Sequence, residues 1–110
     1  MKKINLSITG CMGRMGQQLI KSSKHNKNFK LVSLTENKII NKKIAGIKLG
    51  LNNIDSFKNT NVIIDFTVPK CTLEILQIAA ILKKKVVIGT TGFSKKEESL
   101  IKNFQEKFQF

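Results

Sequence analysis

From Ile4 to Thr9, apolar Ile4, Leu6 and Ile8 alternate with polar Asn5 and Ser7. A period of two predicts a strand. Glycines at positions 10, 13 and 16 then interrupt the pattern. Met15, Leu19 and Ile20 recur at helical spacing, which predicts a helix to about Lys24. His25 to Asn28 is a polar exit, and Phe29 to Thr35 reads as a second strand. Strand, glycine turn, helix and strand together make a βαβ unit.

The pattern is less regular from Glu36 to Asn53. Ile39, Ile40, Ile44 and Ile47 fit either short strands or an irregular excursion, and Gly46 and Gly50 break any helix. Ile54 to Lys58 fits one helical turn. Val62 to Phe66 is a nearly continuous apolar run, as expected of a central parallel strand buried on both faces. Asp65 stands out within it, and the expectation is that it caps neighbouring backbone. Pro69 suits the first turn of a helix to about Leu82, with Thr67 as its cap. Lys83, Lys84 and Lys85 end that helix, where cations complement the dipole. Val86 to Ile88 is a short buried strand, and Gly89 to Phe93 a loop. Ser94-Lys95-Lys96-Glu97 has the capping-box pattern, opening a last helix with Leu100, Ile101, Phe104 and Phe108 on its apolar face. Alternating strands and helices predict an α/β fold with a parallel sheet and right-handed crossovers.

Length and composition bound this picture. The chain has 110 residues, which suits one domain over residues 1–110. No apolar run approaches the roughly 20 residues that span a bilayer, so no membrane partner is expected. Two cysteines, Cys11 and Cys71, make neither a disulfide framework nor a metal site, and a cytoplasmic setting is the default. The net charge of +13 invites a nucleic-acid reading. Against it, Arg14 is the sole arginine, the lysines are scattered, and neither Trp nor Tyr offers a stacking platform. Most of the charge reads as solvated surface.

The chemistry lies beyond the strand ends. In Gly10-Cys11-Met12-Gly13-Arg14-Met15-Gly16, a strand reverses into a helix whose free N–H groups suit a pyrophosphate. Gly10 permits the tight turn, Gly13 the approach of phosphate, and Gly16 close packing of the helix. The spacing is one residue wider than G-x-G-x-x-G, but the strand before it and the helix after it supply the confirming context. Glu36 ends the second strand, twenty residues beyond Gly16. A carboxylate there accepts hydrogen bonds from ribose hydroxyls and repels a 2′-phosphate, which leans towards NAD(H). Lys38 is near enough to offset that charge, so NADP(H) stays open. The loops at Phe66-Thr67 and at Gly89-Thr90-Thr91 follow the later strands and line the same crevice. Cys11 has no histidine base beside it and reads as a small turn residue. Met12 and Met15 read as packing residues. The fold expected is therefore a Rossmann-type, doubly wound parallel sheet.

Gly-Arg-Met-Gly at 13–16, Asp-Phe-Thr-Val-Pro at 65–69 and Gly-Thr-Thr-Gly-Phe at 89–93, in that order, resemble the 4-hydroxy-tetrahydrodipicolinate reductase family over essentially the whole chain. The resemblance implies a reductase of the diaminopimelate and lysine pathway that takes hydride from NADH or NADPH. It implies that Gly10, Cys11, Met12, Gly13, Arg14 and Met15 bind pyrophosphate, and that Glu36 binds ribose. Phe66 and Thr67 would lie near the nicotinamide, with Gly89, Thr90 and Thr91 holding its carboxamide. Thr91 would also approach the dicarboxylate substrate. Some members carry an arginine after the ribose acid, where this chain has Asn37. The family continues into an α+β domain that holds the catalytic histidines and lysine and builds a homotetramer. The present chain carries none of those motifs, and its one histidine, His25, matches no catalytic position. No catalytic residue is therefore expected here. The 110 residues would bind the dinucleotide as a monomer without turnover, the fold stopping before the substrate domain. A non-catalytic dinucleotide sensor, or a basic nucleic-acid binder, are the alternatives.

Overall fold

A computed structural model describes residues 3–108. Five parallel strands form one sheet: β1 (Ile4–Thr9), β2 (Phe29–Glu36), β5 (Gly50–Leu51), β6 (Val62–Asp65) and β7 (Lys85–Ile88), in the order β5-β2-β1-β6-β7. Helices α1 (Arg14–Lys24), α2 (Ile54–Phe57), α3 (Pro69–Leu82) and α4 (Lys95–Phe108) connect and cover it. From β1 the chain moves through α1 to β2 on one side, then returns to place β6 on the other. The strand order therefore reverses between β1 and β6, as in a doubly wound sheet.

Two apolar cores lie on opposite faces. On the α1 side, Ile8, Cys11, Ile20, Leu34 and Leu49 are buried together, with Leu19 and Met12 packed against them. On the α3 side, Phe57, Ile63, Ile75 and Ala79 form the second core. The alternation in β1 sends Leu6 and Ile8 to the α1 side. Ser7 and Thr9, also fully buried, bond to Thr60 and Asp65. The α1 side is covered only in part. Ile4, Leu6, Ile8, Val62, Ile64 and Val87 line an apolar trough of about 280 Å³. The expectations of a β6 buried on both faces and of a buried β7 are thus corrected. Ile63 is buried, but Ile64 is half-buried and Val87 is 56% exposed.

Several local expectations change. The segment from Glu36 to Asn53 contains an antiparallel hairpin of β3 (Lys43–Ile44) and β4 (Ile47–Lys48), followed by β5 at the sheet edge. Ala45 and Gly46 both take positive φ, 55° and 78°, as a two-residue hairpin turn requires. Alanine is an unusual residue for that position, which hid the hairpin. Met15 does not join the core and is exposed, whereas Gly16, Ile20 and Ser23 are buried. Val68, not Thr67, is the N-cap of α3, because the Thr67 hydroxyl is drawn to Asp65. Lys83 closes α3 in the left-handed region at φ 58°, while Lys85 already belongs to β7. The capping box is present: Ser94 N–H donates to Glu97 Oε1 at 2.8 Å, and Glu97 N–H to Ser94 Oγ at 3.2 Å. The side chains of Phe104 and Phe108 lie outside the described residues.

Two substitutions separate backbone strain from packing. Ala45→Asn relieves a left-handed alanine in an open turn and is expected to stabilise by about 0.5–1 kcal/mol. Gly10→Ala adds a Cβ that overlaps the Phe66 carbonyl oxygen, at φ 62°, and is expected to lose about 2 kcal/mol or more. Urea unfolding midpoints of the two variants check both signs.

Candidate functional site

The glycine turn lies at the point where the strand order reverses. It leaves β1 and passes over the end of β6 so closely that Gly10 has no room for a side chain beside the Phe66 carbonyl and Thr67. A Cβ at Gly16 would overlap the Gly10 carbonyl oxygen and crowd Cys11 Cα. Gly16 therefore seats the first turn of α1 against the glycine loop itself, rather than against the strand. Gly13 is the N-cap of α1 and brings no side chain to its N-terminus. The start of α1 also carries no acidic residue. Both absences leave its partial positive charge for an external anion.

The turn is held by its own backbone. Cys11 N–H donates to Thr35 O at 3.3 Å, and Gly13 N–H to Gly10 O at 3.0 Å. Met12 N–H donates to Glu36 Oε2 at 2.7 Å. Glu36, at the end of β2, thereby ties the second strand to the turn. Gln17 Nε2 also donates to Met12 O at 2.8 Å. The N–H groups of Cys11, Met12 and Gly13 are thus engaged within the protein, and those at the start of α1, from Arg14 and Met15, carry no side-chain cap.

Asp65 is the centre of the other half. It is fully buried, and threonine hydroxyls surround its carboxylate. Thr9 and Thr67 donate to Oδ1, each at 2.7 Å. Thr72 and Thr90 donate to Oδ2, the latter at 3.1 Å. The expected backbone cap is thus corrected: hydroxyls, not N–H groups, satisfy this carboxylate. Thr67 N–H donates to Thr90 Oγ1 at 2.9 Å, which joins the loop after β6 to the loop after β7. Gly89 packs so tightly against the Phe66 ring that a Cβ there would overlap it.

A cavity of about 230 Å³ opens over the switch point, lined by Gly10, Gly13, Glu36, Phe66, Thr67 and Cys71, among others. Five residues expected from the sequence therefore converge on one cavity. Gly89 and Thr90 reach it indirectly, through Phe66 and Thr67. Arg14, Met15 and Thr91 are exposed and do not line it. Cys11 is buried in the α1-side core. Met12 faces a separate cleft of about 320 Å³, bordered by Lys21, Lys24, Lys42 and Lys43. Asn37 and Cys71 also line the cavity and were not expected there. Asn37 follows Glu36 directly, and Cys71 lies one turn into a helix that starts at the cavity, so adjacency was the available signal.

Neither cysteine is poised as a nucleophile. Burial, then the Glu36 carboxylate, pushes the Cys11 thiol up to about 11 from 9.0. Burial, then Glu74 and Asp65, also raises Cys71. The unfolded chain ionises Cys11 first, so stability present below pH 9 is lost as pH rises towards 11. Cys11→Ala is expected to flatten that decline in urea midpoints. In the native chain at pH 8, both thiols are expected to react with a disulfide reagent far more slowly than in urea.

A parallel doubly wound sheet, with a glycine turn at its switch point and an acid at the end of the second strand, defines a Rossmann-type dinucleotide-binding domain. A family model described as dihydrodipicolinate reductase, N-terminus, matches residues 4–110, and the chain belongs to that family. It is 74% identical over 106 residues to a 4-hydroxy-tetrahydrodipicolinate reductase of Pelagibacter ubique (strain HTCC1062), covering 96% of this chain and 41% of that protein. The enzyme of the same name from Buchnera aphidicola subsp. Acyrthosiphon pisum (strain 5A) is 42% identical over 118 residues, covering 96% and 44%. The chain thus spans less than half the length of these relatives. Among solved structures, dipicolinate-bound dihydrodipicolinate reductase from Paenisporosarcina sp. TG-14 superimposes with a TM-score of 0.78 at 24% identity, over 98% of this chain and 45% of that one. A homoserine dehydrogenase of S. aureus does so with a TM-score of 0.76 at 16% identity, over 97% and 30%. At those identities the two structures show the shared fold. The N-terminal domain of the family binds a nicotinamide dinucleotide, NAD(H) or NADP(H).

Proposed function

We propose that residues 1–110 form one domain, the dinucleotide-holding part of an NAD(P)H-dependent reductase of 4-hydroxy-tetrahydrodipicolinate. The observation that carries this reading is the convergence of Gly10, Gly13, Glu36, Phe66 and Thr67 on one cavity at the switch point. The bare N-cap at Gly13 and the uncapped start of α1 fit a pyrophosphate. When bound, the dinucleotide supplies a hydride from its nicotinamide ring.

The chain's own residues bind and orient. The N–H groups of Arg14 and Met15, uncapped at the start of α1, would hold the phosphates. Glu36 holds Met12 N–H through Oε2, and Oε1 makes no hydrogen bond among the described residues. That oxygen is available to accept from a ribose hydroxyl. Thr67, with Thr90 behind it, lines the far side of the cavity and orients the nicotinamide end. Thr91, exposed on the loop after β7, would meet the substrate. His25 closes the opposite end of α1 from the glycine turn and takes no part. These residues bind without supplying a proton donor for turnover, so the 110 residues hold cofactor and do not complete the reduction. Two free, buried cysteines accord with a cytoplasmic setting.

Titration with NADH and NADPH, followed by nicotinamide fluorescence, tests the reading. Wild type is expected to bind NADH saturably, and Glu36→Ala to weaken it about tenfold. NADPH is expected to lose less, because its 2′-phosphate is repelled by Glu36 in the wild type. Absence of saturable binding by either nucleotide would overturn the assignment. Steady-state turnover by the 110 residues alone would overturn the division of labour.

A further inference from the structure

We propose that Asp65 is a positioning residue that sets both the placement and the hydrogen-bond polarity of the nicotinamide side of the cavity. The proposal rests on the dinucleotide reading for what is bound, while the clamp itself is a property of the chain. Four threonines from four places meet on this carboxylate. Thr9 is the last residue of β1, beside Gly10. Thr67 follows β6, Thr72 lies in the first turn of α3, and Thr90 follows β7. Gly89 N–H also donates to the Asp65 carbonyl at 2.8 Å. One side chain therefore fixes the relative heights of three strand ends that face the cavity.

The carboxylate is saturated. It offers about four lone-pair sites, and four hydroxyls fill them. It is fully buried and forms no ion pair among the described residues. It has no free site for a metal or a substrate proton. Charge-assisted hydrogen bonds offset its burial. Replacing the whole cluster, carboxylate and threonines together, by apolar residues of the same volume is commonly neutral or stabilising, so stability alone does not account for it.

Polarity does. A carboxylate only accepts, so every hydroxyl touching it must point its proton inward. Thr90 Oγ1 is then left as an acceptor, and it receives Thr67 N–H at 2.9 Å. Thr67 Oγ1 donates inward to Asp65 at 2.7 Å, and Thr67 lines the cavity. Both lone pairs of that hydroxyl are therefore left as acceptors, since Thr72 Oγ1, 3.4 Å away, gives its own proton to Asp65. That matches the N–H₂ group of a carboxamide and disfavours a ligand oxygen at the same point. An asparagine at 65 would put a donor among the hydroxyls and force at least one of them to turn its proton outward.

Calorimetric titration of the full chain with NADH and with ADP-ribose, which lacks the nicotinamide, separates this role from a general one. Asp65→Asn is expected to weaken NADH about tenfold while ADP-ribose stays within about twofold. Thr67→Val, which keeps the shape and removes the acceptor, is expected to act in the same direction. Equal losses for the two ligands, or no loss for NADH, in a variant with native circular dichroism would overturn the proposal. If Asp65→Asn does not fold, Thr67→Val and Thr90→Val carry the same comparison. Amide hydrogen exchange without ligand gives an independent reading. The Thr67 amide, bonded to Thr90 Oγ1, is expected to exchange faster in Asp65→Asn while β2 keeps its protection, and an unchanged Thr67 rate would overturn the clamp. A wild type that binds neither ligand refutes the dinucleotide reading, and the exchange result then judges the clamp alone.

Discussion

The close passage of the glycine turn over the end of β6 is the constraint on which the rest depends. Two parallel strands paired side by side must both discharge their chains at the same edge of the sheet. One chain turns into α1 and the other towards α3, and they meet where Gly10 lies against the Phe66 carbonyl. Any side chain at Gly10 would force the two exits apart. Any side chain at Gly16 would lift α1 off the turn. Since α1 seals one core and α3 the other, both faces of the sheet are located by this contact.

Polar groups, unusually for a sheet interior, run along the inner row of these strands. Ser7 meets Thr60, Thr9 meets Asp65, and Thr35 donates to Asn52 Oδ1 at 2.5 Å. Each is paired, and no buried side-chain polar atom among the described residues lacks a partner. Directional bonds of this kind hold loops at a defined height, where apolar packing would allow sliding. Thr9 with Asp65, and Thr35 with Asn52, lie at the carboxyl ends of their strands near the cavity, while Ser7 with Thr60 lies further back, towards the amino end of β6. The opposite row, facing α1, carries the apolar trough of Ile4, Leu6, Ile8, Val62, Ile64 and Val87. The β1 strand is thus polar and clamped on the row that turns away from α1, and apolar on the row that faces it.

Much of this was legible in order along the chain. Alternation in β1, the glycines after it, Glu36 after β2 and the capping box of α4 are local patterns with local causes, and each stands where its pattern placed it. The Ala45-Gly46 hairpin was not legible, because alanine is a poor marker of a turn whose positive φ is enforced by the pairing of β3 with β4. Met15 fits the helical period, yet it points to solvent because the buried stripe of α1 runs through Gly16, Ile20 and Ser23. Phe66, Thr67, Gly89 and Thr90 were recognisable as loop residues, but their joining through one hydrogen-bonded network was not.

By itself, the sequence determined the class of fold, the position of the glycine turn, the acid at the end of the second strand and the family. Those follow from periodicity, glycine spacing and short motifs, which are properties of neighbours in the chain. Only the tertiary structure decided which residues share the cavity, that Met12 N–H belongs to Glu36, and that Asp65 gathers hydroxyls from Thr9, Thr67, Thr72 and Thr90. Thr9 and Thr90 are far apart in the chain, and no local pattern relates them. Their distance is set by the pairing of β1, β6 and β7, and a buried carboxylate finds its partners only after that pairing exists.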